Sequence, residues 1–242
     1  MSMRSHHRLR SQGRLQNSFL ESLIDPIDRL SETVFSILIL MTFTLAFRIS
    51  RLFGGAEHAL PGEGASELLI GALWAVLAYG MIDGVMYALL SVFARGGSHR
   101  LLRNIHVAES EQEAVEMISD ELDYILEPIS EEGVRQKLYK SVLEHLRDSQ
   151  PRRIGLTRED ITGALAHVLV ALISVLPSLA PLALLGKNFE LAIFVSNLVS
   201  FIVLFIAGYH WGKYTGSNPW RTGLLLMAVA VIMVLIAILL VS

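Results

Sequence analysis

The sequence predicts an all-α integral membrane protein: five transmembrane helices with a cytoplasmic helical insert between helices 2 and 3. Three observations predict it. The 242-residue chain is 52% hydrophobic, and the apolar residues gather in five runs long enough to cross a bilayer. A charge-rich stretch separates the second run from the third. If the runs alternate across a membrane, 17 of the 20 Lys and Arg residues fall on one side.

The runs cover about 33–53, 67–94, 160–185, 189–212 and 219–241. Arg48 interrupts the first, whose uncharged part is only Thr33 to Phe47. That run crosses a bilayer only if its helix begins earlier. Asp25-Pro26 supplies such a start: Asp25 can cap, Pro26 suits the first helical position, and Asp28 sits in the first turn. The helix then takes Arg29 and Glu32 with it. Phe19, Leu20, Leu23, Ile24 and Ile27 give the preceding stretch an amphipathic face suited to the membrane surface. Four Gly and one Pro between Gly54 and Gly64 read as an external loop. Pro177 and Pro181 are expected to kink the third span. The last run, Thr222 to Ser242, has no charge at all.

Four segments result: 1–30, a basic tail and interfacial helix; 31–95, transmembrane helices 1–2; 96–158, the insert; and 159–242, transmembrane helices 3–5. With the N-terminus cytoplasmic, residues 1–32, 95–159 and 213–221 hold 5, 10 and 2 Lys and Arg, and only Arg48, Arg51 and Lys187 lie outside. The positive-inside rule selects this orientation, with the C-terminus outside. Trp211, Tyr214 and Trp220 would anchor the inner interface. The expected location is a bacterial inner membrane. The first thirty residues have no apolar h-region, so no secretory signal is expected.

Composition excludes several classes of function. There is no Cys, hence no disulfide, thiolate metal site or Cys nucleophile. No P-loop, H-E-x-x-H or G-x-S-x-G occurs, so the chain is not expected to be an enzyme. No nucleic-acid motif occurs, and the basic residues flank spans, where lipid headgroups explain them. The lipid bilayer and a second copy of the chain are the expected partners. No permanently bound cofactor is expected.

Asp83 stands out within this pattern. It lies in the uncharged run Leu68 to Ala94. A carboxylate at mid-helix costs roughly 2.5–3.5 kcal/mol on insertion scales. Membrane proteins retain such groups for ions, protons or pathways, or as hydrogen-bonded locks between helices. At 1.5 Å per residue, Glu32 lies about 24 Å along its helix from Arg48, and Asp83 about 24 Å from Glu67. Both reference charges belong near the outer boundary. Antiparallel neighbours would therefore hold Glu32 and Asp83 at similar depth. His167, about 10 Å beyond Asp160, reaches the same half of the membrane. Two carboxylates and an imidazole can bind a divalent cation or relay protons. The alternatives are Glu32 snorkelling beside Arg29 and His167 as a core histidine.

The insert carries two helical patterns. One, at about 108–127, places Val115, Ile118, Leu122 and Ile125 on one side. The other, at about 131–148, places Val134, Leu138, Val142 and Leu146 on one side. Glu109, Glu113, Glu116, Asp120, Asp123 and Glu127 form an acidic stripe, which either attracts cations or is a solvated face paired with Arg135, Lys137 and Lys140. Small residues at fourfold spacing, Gly80/Gly84 and Gly208/Gly212/Gly216, allow close helix approach.

Ile82-Asp83-Gly84 resembles the Asp-Gly membrane motif of vacuolar iron transporter-like proteins. Ala171 to Leu182, Gly208-Tyr209-His210-Trp211-Gly212 and Thr215-Gly216-Ser217 to Gly223 resemble that family's last three spans. Asp25-Pro26-Ile27-Asp28-Arg29-Leu30-Ser31-Glu32 with Met41-Thr42-Phe43-Thr44 resembles a bacterial branch related to it. In the iron transporters the Asp-Gly pair lies on the first span; here it lies on the second. The resemblance implies a five-span homodimer with a cytoplasmic insert that exports divalent metal against protons. Fe²⁺ or Mn²⁺ is then the substrate and Asp83 the central ligand. Glu32 stands beside Asp83, His167 lies on the pathway, and Glu113 and Glu116 collect metal. The competing expectation is a dimeric membrane scaffold of the same fold that transports nothing.

Overall fold

The computed structural model describes residues 24–53, 63–149 and 154–241. Among these residues all regular structure is helical. Seven α-helices follow in order: α1 Pro26–Phe53, α2 Glu63–Val107, α3 Glu111–Leu126, α4 Glu132–Arg147, α5 Arg158–Leu184, α6 Phe189–Thr215 and α7 Pro219–Val241. A 3₁₀ turn, Glu127–Ile129, follows α3 and contains Pro128. Five of the helices (α1, α2, α5, α6 and α7) are long and apolar enough to cross a membrane. The tail 1–23, with Phe19, Leu20 and Leu23, and the centre of the expected external loop lie outside the described residues, and Ile24 is buried with Ala166 and Val170.

The helix ends follow from local chemistry. The Asp25 carboxylate accepts from the Ile27 N–H at 2.9 Å, and Pro26 occupies the first turn, where its missing N–H costs nothing. Asn188 caps α6 by accepting from Leu191, and Gly216 ends it with φ 73°. That left-handed position favours glycine. Asn218 caps α7 by accepting from the Trp220 and Arg221 N–H groups at 3.1 and 3.2 Å. α5 runs unbroken past Pro177 and Pro181.

The chain divides into two compact units, Met1–Met86 with Ile161–Ser242, and Tyr87–Asp160. The first has a core of Ile37, Leu40, Met41, Leu68, Val76, Val175, Leu182, Ile193 and Leu204, drawn from α1, α2, α5 and α6. Glycines set its closest approaches. A Cβ on Gly84 would lie 2.6 Å from the Ala164 carbonyl oxygen, and one on Gly80 3.2 Å from Val168 and Ala171. Position 80 therefore faces 168–171 and position 84 faces 164, so α2 and α5 run antiparallel. In the same way Gly208 and Gly212 pack on Thr222, Gly223 and Pro219 of α7, and Gly71 packs on Phe43 of α1. Phe205 of α6 packs tilted against Trp220 and Tyr209 meets it edge-on, with ring centroids 5.7 and 5.6 Å apart.

The second unit holds the α3–α4 hairpin and the end of α2. It corrects four sequence expectations. α2 does not stop near residue 95 but continues to Val107 through Gly96 and Gly97. Two glycines weaken a helix by about 1 kcal/mol each, yet they leave its hydrogen bonds in place, whereas proline would remove one. Only half of the expected face of α4 is buried. Val142 and Leu146 pack against the hairpin core with the buried Tyr139 and Leu143, whereas Val134 and Leu138 are 59% and 43% exposed. The face turns because Tyr139 can bury its ring while its hydroxyl donates to Asp123 at 2.6 Å. On α3, Val115 and Ile118 are buried as expected, but Ile125 is 60% exposed. Finally, Arg95 is not left to headgroups. Its guanidinium grips Asp160 through two contacts, 3.0 and 2.6 Å, and also donates to the Gly155 carbonyl. Asp160 in turn accepts from the Thr157 N–H and hydroxyl, a capping box at the head of α5.

Candidate metal centre

Three helices of the first unit bring Glu32, Asp83 and His167 together. Each offers one ligand atom, and the three atoms lie within 4.8 Å of one another. The α2–α5 glycine contact places them. Gly84 against Ala164 and Gly80 against Val168 and Ala171 set Asp83 beside His167, one turn along α5 from Ala164. His167 Nδ1 is 2.7 Å from the Asp83 carboxylate and 3.8 Å from that of Glu32. Glu32 is 2% exposed, so it does not snorkel out of the bundle. His167 is 6% exposed, and the Asp83 side chain is one-third exposed, which leaves the group open on one side.

Tyr79 joins the group and was not foreseen. Its hydroxyl donates to Glu32 Oε2 at 3.3 Å. The signal was available, since Tyr79 lies four residues before Asp83 and so shares its helix face. Glu32 Oε1 is buried without a hydrogen-bond partner among the described residues. A buried carboxylate oxygen left unmatched is costly in an apolar interior and is satisfied by a cation or water. Two carboxylate oxygens and one imidazole nitrogen could hold a divalent metal ion. The 2.7 Å contact between imidazole and carboxylate is a proton position. A cation that takes both atoms must displace that proton.

Glu113 and Glu116 are placed differently. Both are exposed on α3, in the second unit. Glu113 completes the α3 cap: its N–H donates to Ser110 Oγ and its carboxylate accepts from the Glu109 N–H. Within the acidic stripe, Asp123 is engaged by Ser119, Tyr139 and Arg135 at 2.7, 2.6 and 3.2 Å. The Ser119 and Tyr139 hydrogen bonds, with Arg135, hold the Asp123 carboxyl below the usual range. Burial and the Asp123 carboxylate push the Tyr139 phenol up. No three potential ligands converge on the stripe among the described residues.

Five membrane-length helices, three of which bring together a carboxylate–imidazole group that could hold a metal ion, define a helical membrane protein. The VIT family model matches residues 92–242, more than half of the sequence, and the chain belongs to this family of vacuolar iron transporter-like membrane proteins, which are metal-ion transporters. The match includes His167 and α5 to α7, whereas Glu32 and Asp83 precede it. No curated protein and no solved structure matches the chain.

Proposed function

We propose that this protein moves a divalent cation, Fe²⁺ or Mn²⁺, across a membrane in exchange for protons. The convergence of Glu32, Asp83 and His167 from three membrane-length helices carries this reading. The cation binds the two carboxylates and the imidazole, and Tyr79 orients Glu32. Binding releases the proton held between His167 and Asp83, and departure of the cation restores it. Competition for one set of atoms is the physical basis of exchange. The basic residues support an N-terminus and α3–α4 hairpin on the cytoplasmic side of a bacterial inner membrane. Glu113 and Glu116 would gather cations there. A homodimer follows from the family resemblance, and no step requires an enzyme.

The test is Mn²⁺ uptake into proteoliposomes with and without a pH gradient. Wild-type uptake should depend on the gradient. Asp83→Asn keeps the side-chain shape but removes the charge, and should lower uptake by about tenfold or more with folding intact. Full uptake by Asp83→Asn would leave the Asp83 carboxylate as a helix lock. A wild-type protein that moves no metal would favour the non-transporting scaffold.

A further inference from the structure

A second polar feature of the first unit is a seam of hydroxyls running away from the Glu32–Asp83–His167 group. It starts where Thr33 of α1 and Ser174 of α5 meet, Oγ1 to Oγ at 2.9 Å. α1 is antiparallel to α2, since Glu32 meets Tyr79 while Phe43 meets Gly71. α2 is antiparallel to α5, so α1 and α5 run the same way. One turn further along each lies Ser36 on α1 and Ser178 on α5. Both are 0% exposed. Ser196 of α6 then donates to the Ser178 carbonyl at 2.6 Å. Asn197, the next residue, lines a cavity of about 370 Å³ together with Arg48 and Glu190.

Most hydroxyls in these helices close onto their own backbone. Thr33, Thr42 and Ser200 each donate to the carbonyl four residues earlier. Ser36 Oγ and Ser178 Oγ do not: both are buried without a hydrogen-bond partner among the described residues, as is Glu32 Oε1. Three unmatched polar atoms along one seam, with a cavity beyond them that holds Arg48, Glu190 and Asn197 among apolar side chains, fit ordered water. Each buried water needs two to four polar partners, and apolar packing offers none. We propose that Ser36, Ser178 and Ser196 line a water-filled lane that joins the Glu32–Asp83–His167 group to the Arg48–Glu190 end of the bundle. In the transport reading, on which this role rests, the lane is the second access route to the cation site. Asp83 provides the first, through its exposed side.

The absence of cysteine makes the test clean. Ser36→Cys and Ser178→Cys are near-isosteric, and Leu204→Cys supplies a control in the dry core, where Leu204 is 0% exposed and lies two turns from Ser196 on the side away from Glu190. Each full-length variant is treated with Ag⁺, a water-sized, lipid-insoluble thiol reagent, and the remaining thiol is counted with maleimide after denaturation. Ser36→Cys and Ser178→Cys should react at least about tenfold faster than Leu204→Cys, which reacts only on local opening. Equal rates for all three would overturn the lane. Its role as an access route is read separately, with Ser36→Val and Ser178→Val combined. Mn²⁺ binding by calorimetry should persist while Mn²⁺ uptake falls by about tenfold. Wild-type uptake by that variant would overturn the access role. If the wild-type protein itself moves no Mn²⁺, the transport reading fails, and the Ag⁺ rates decide the lane on their own.

Discussion

At the scale of single residues, the centre is a balance between charge and proton. Glu32 is held by one hydrogen bond, from Tyr79, and approached by His167 at 3.8 Å. Tyr79→Phe removes only that donor. It should cost about 1 kcal/mol of stability and leave Mn²⁺ binding measurable by calorimetry, because the three ligands remain. Asp83→Leu is a harsher change. It strips His167 of its 2.7 Å partner inside a membrane-length helix bundle. Loss of about 1–3 kcal/mol is expected, read as a lower midpoint in detergent melts, whereas Asp83→Asn should stay near the wild type. If the order of stability were reversed, the carboxylate would be a source of strain rather than a partner. The convergence of these three side chains was legible in the sequence because each is an ionisable residue on an apolar helix, and a rise of 1.5 Å per residue fixes relative depth. Tyr79 was not singled out because a tyrosine in a membrane span is ordinary. Only its register with Asp83 distinguishes it.

At the scale of elements, glycine spacing makes a sharp prediction. Gly84→Ala would put a Cβ 2.6 Å from a backbone oxygen of α5, where no side chain can rotate away. α2 and α5 must then separate. The expected loss is about 1–3 kcal/mol, with weaker Mn²⁺ binding because Asp83 and His167 sit on the two helices. Gly96→Ala and Gly97→Ala are the controls. Nothing lies within 4 Å of either added methyl, and both lie inside α2. Each should stabilise by about 0.5–1 kcal/mol. Thermal melts of the three variants decide the point. The glycine pairs were readable as close approaches, but not which helix each would meet. The end of α2 lay beyond the expected boundary because the uncharged run stops at Ala94, and hydropathy marks where an apolar run ends rather than where the helix ends. The first turns of α4 were misread for another reason, while Val142 and Leu146 pack as expected. Hydrophobic periodicity favours Val134 and Leu138, whereas the Tyr139 hydroxyl finds a partner on a different helix that no periodicity shows.

That same contact gives the hairpin a pH window. Asp123 has its carboxyl held low in the fold. Its contribution is therefore present above the ordinary carboxylate range and is lost as pH falls through the lowered value, below about 4. Tyr139 is shifted upward. Its contribution is present below the ordinary phenol range and is lost as pH rises past it, above about 10. Between these limits the hairpin should resist proteolysis evenly. Asp123→Asn should flatten the acid limb, and Tyr139→Phe the alkaline one. Limited proteolysis of the full chain across pH, followed at α3 and α4, reads both limbs.

At the scale of the whole molecule, the arrangement across the membrane rests on basic residues rather than on packing. The hydrophobic helices are symmetric with respect to the two faces of a bilayer, and only the flanking charges break that symmetry. The 17-to-3 partition predicts that residues 96–158 lie on the cytoplasmic side. Individual arginines do more than steer insertion. Arg95 is bound to Asp160, and Arg48 to Glu190 at 3.2 Å, so neither is a free surface charge. Discounting both leaves 16 against 2, and the bias survives. Asp120→Cys, exposed on α3, and Leu60→Cys, in the glycine-rich loop, test it in a chain with no native thiol. A membrane-impermeant maleimide applied to intact cells should label Leu60→Cys and spare Asp120→Cys until the membrane is opened. Labelling of Asp120→Cys in intact cells would invert the molecule. The cation site would then face the other compartment first, so uptake and export in the liposome assay would exchange meanings while the chemistry at Glu32, Asp83 and His167 stayed the same.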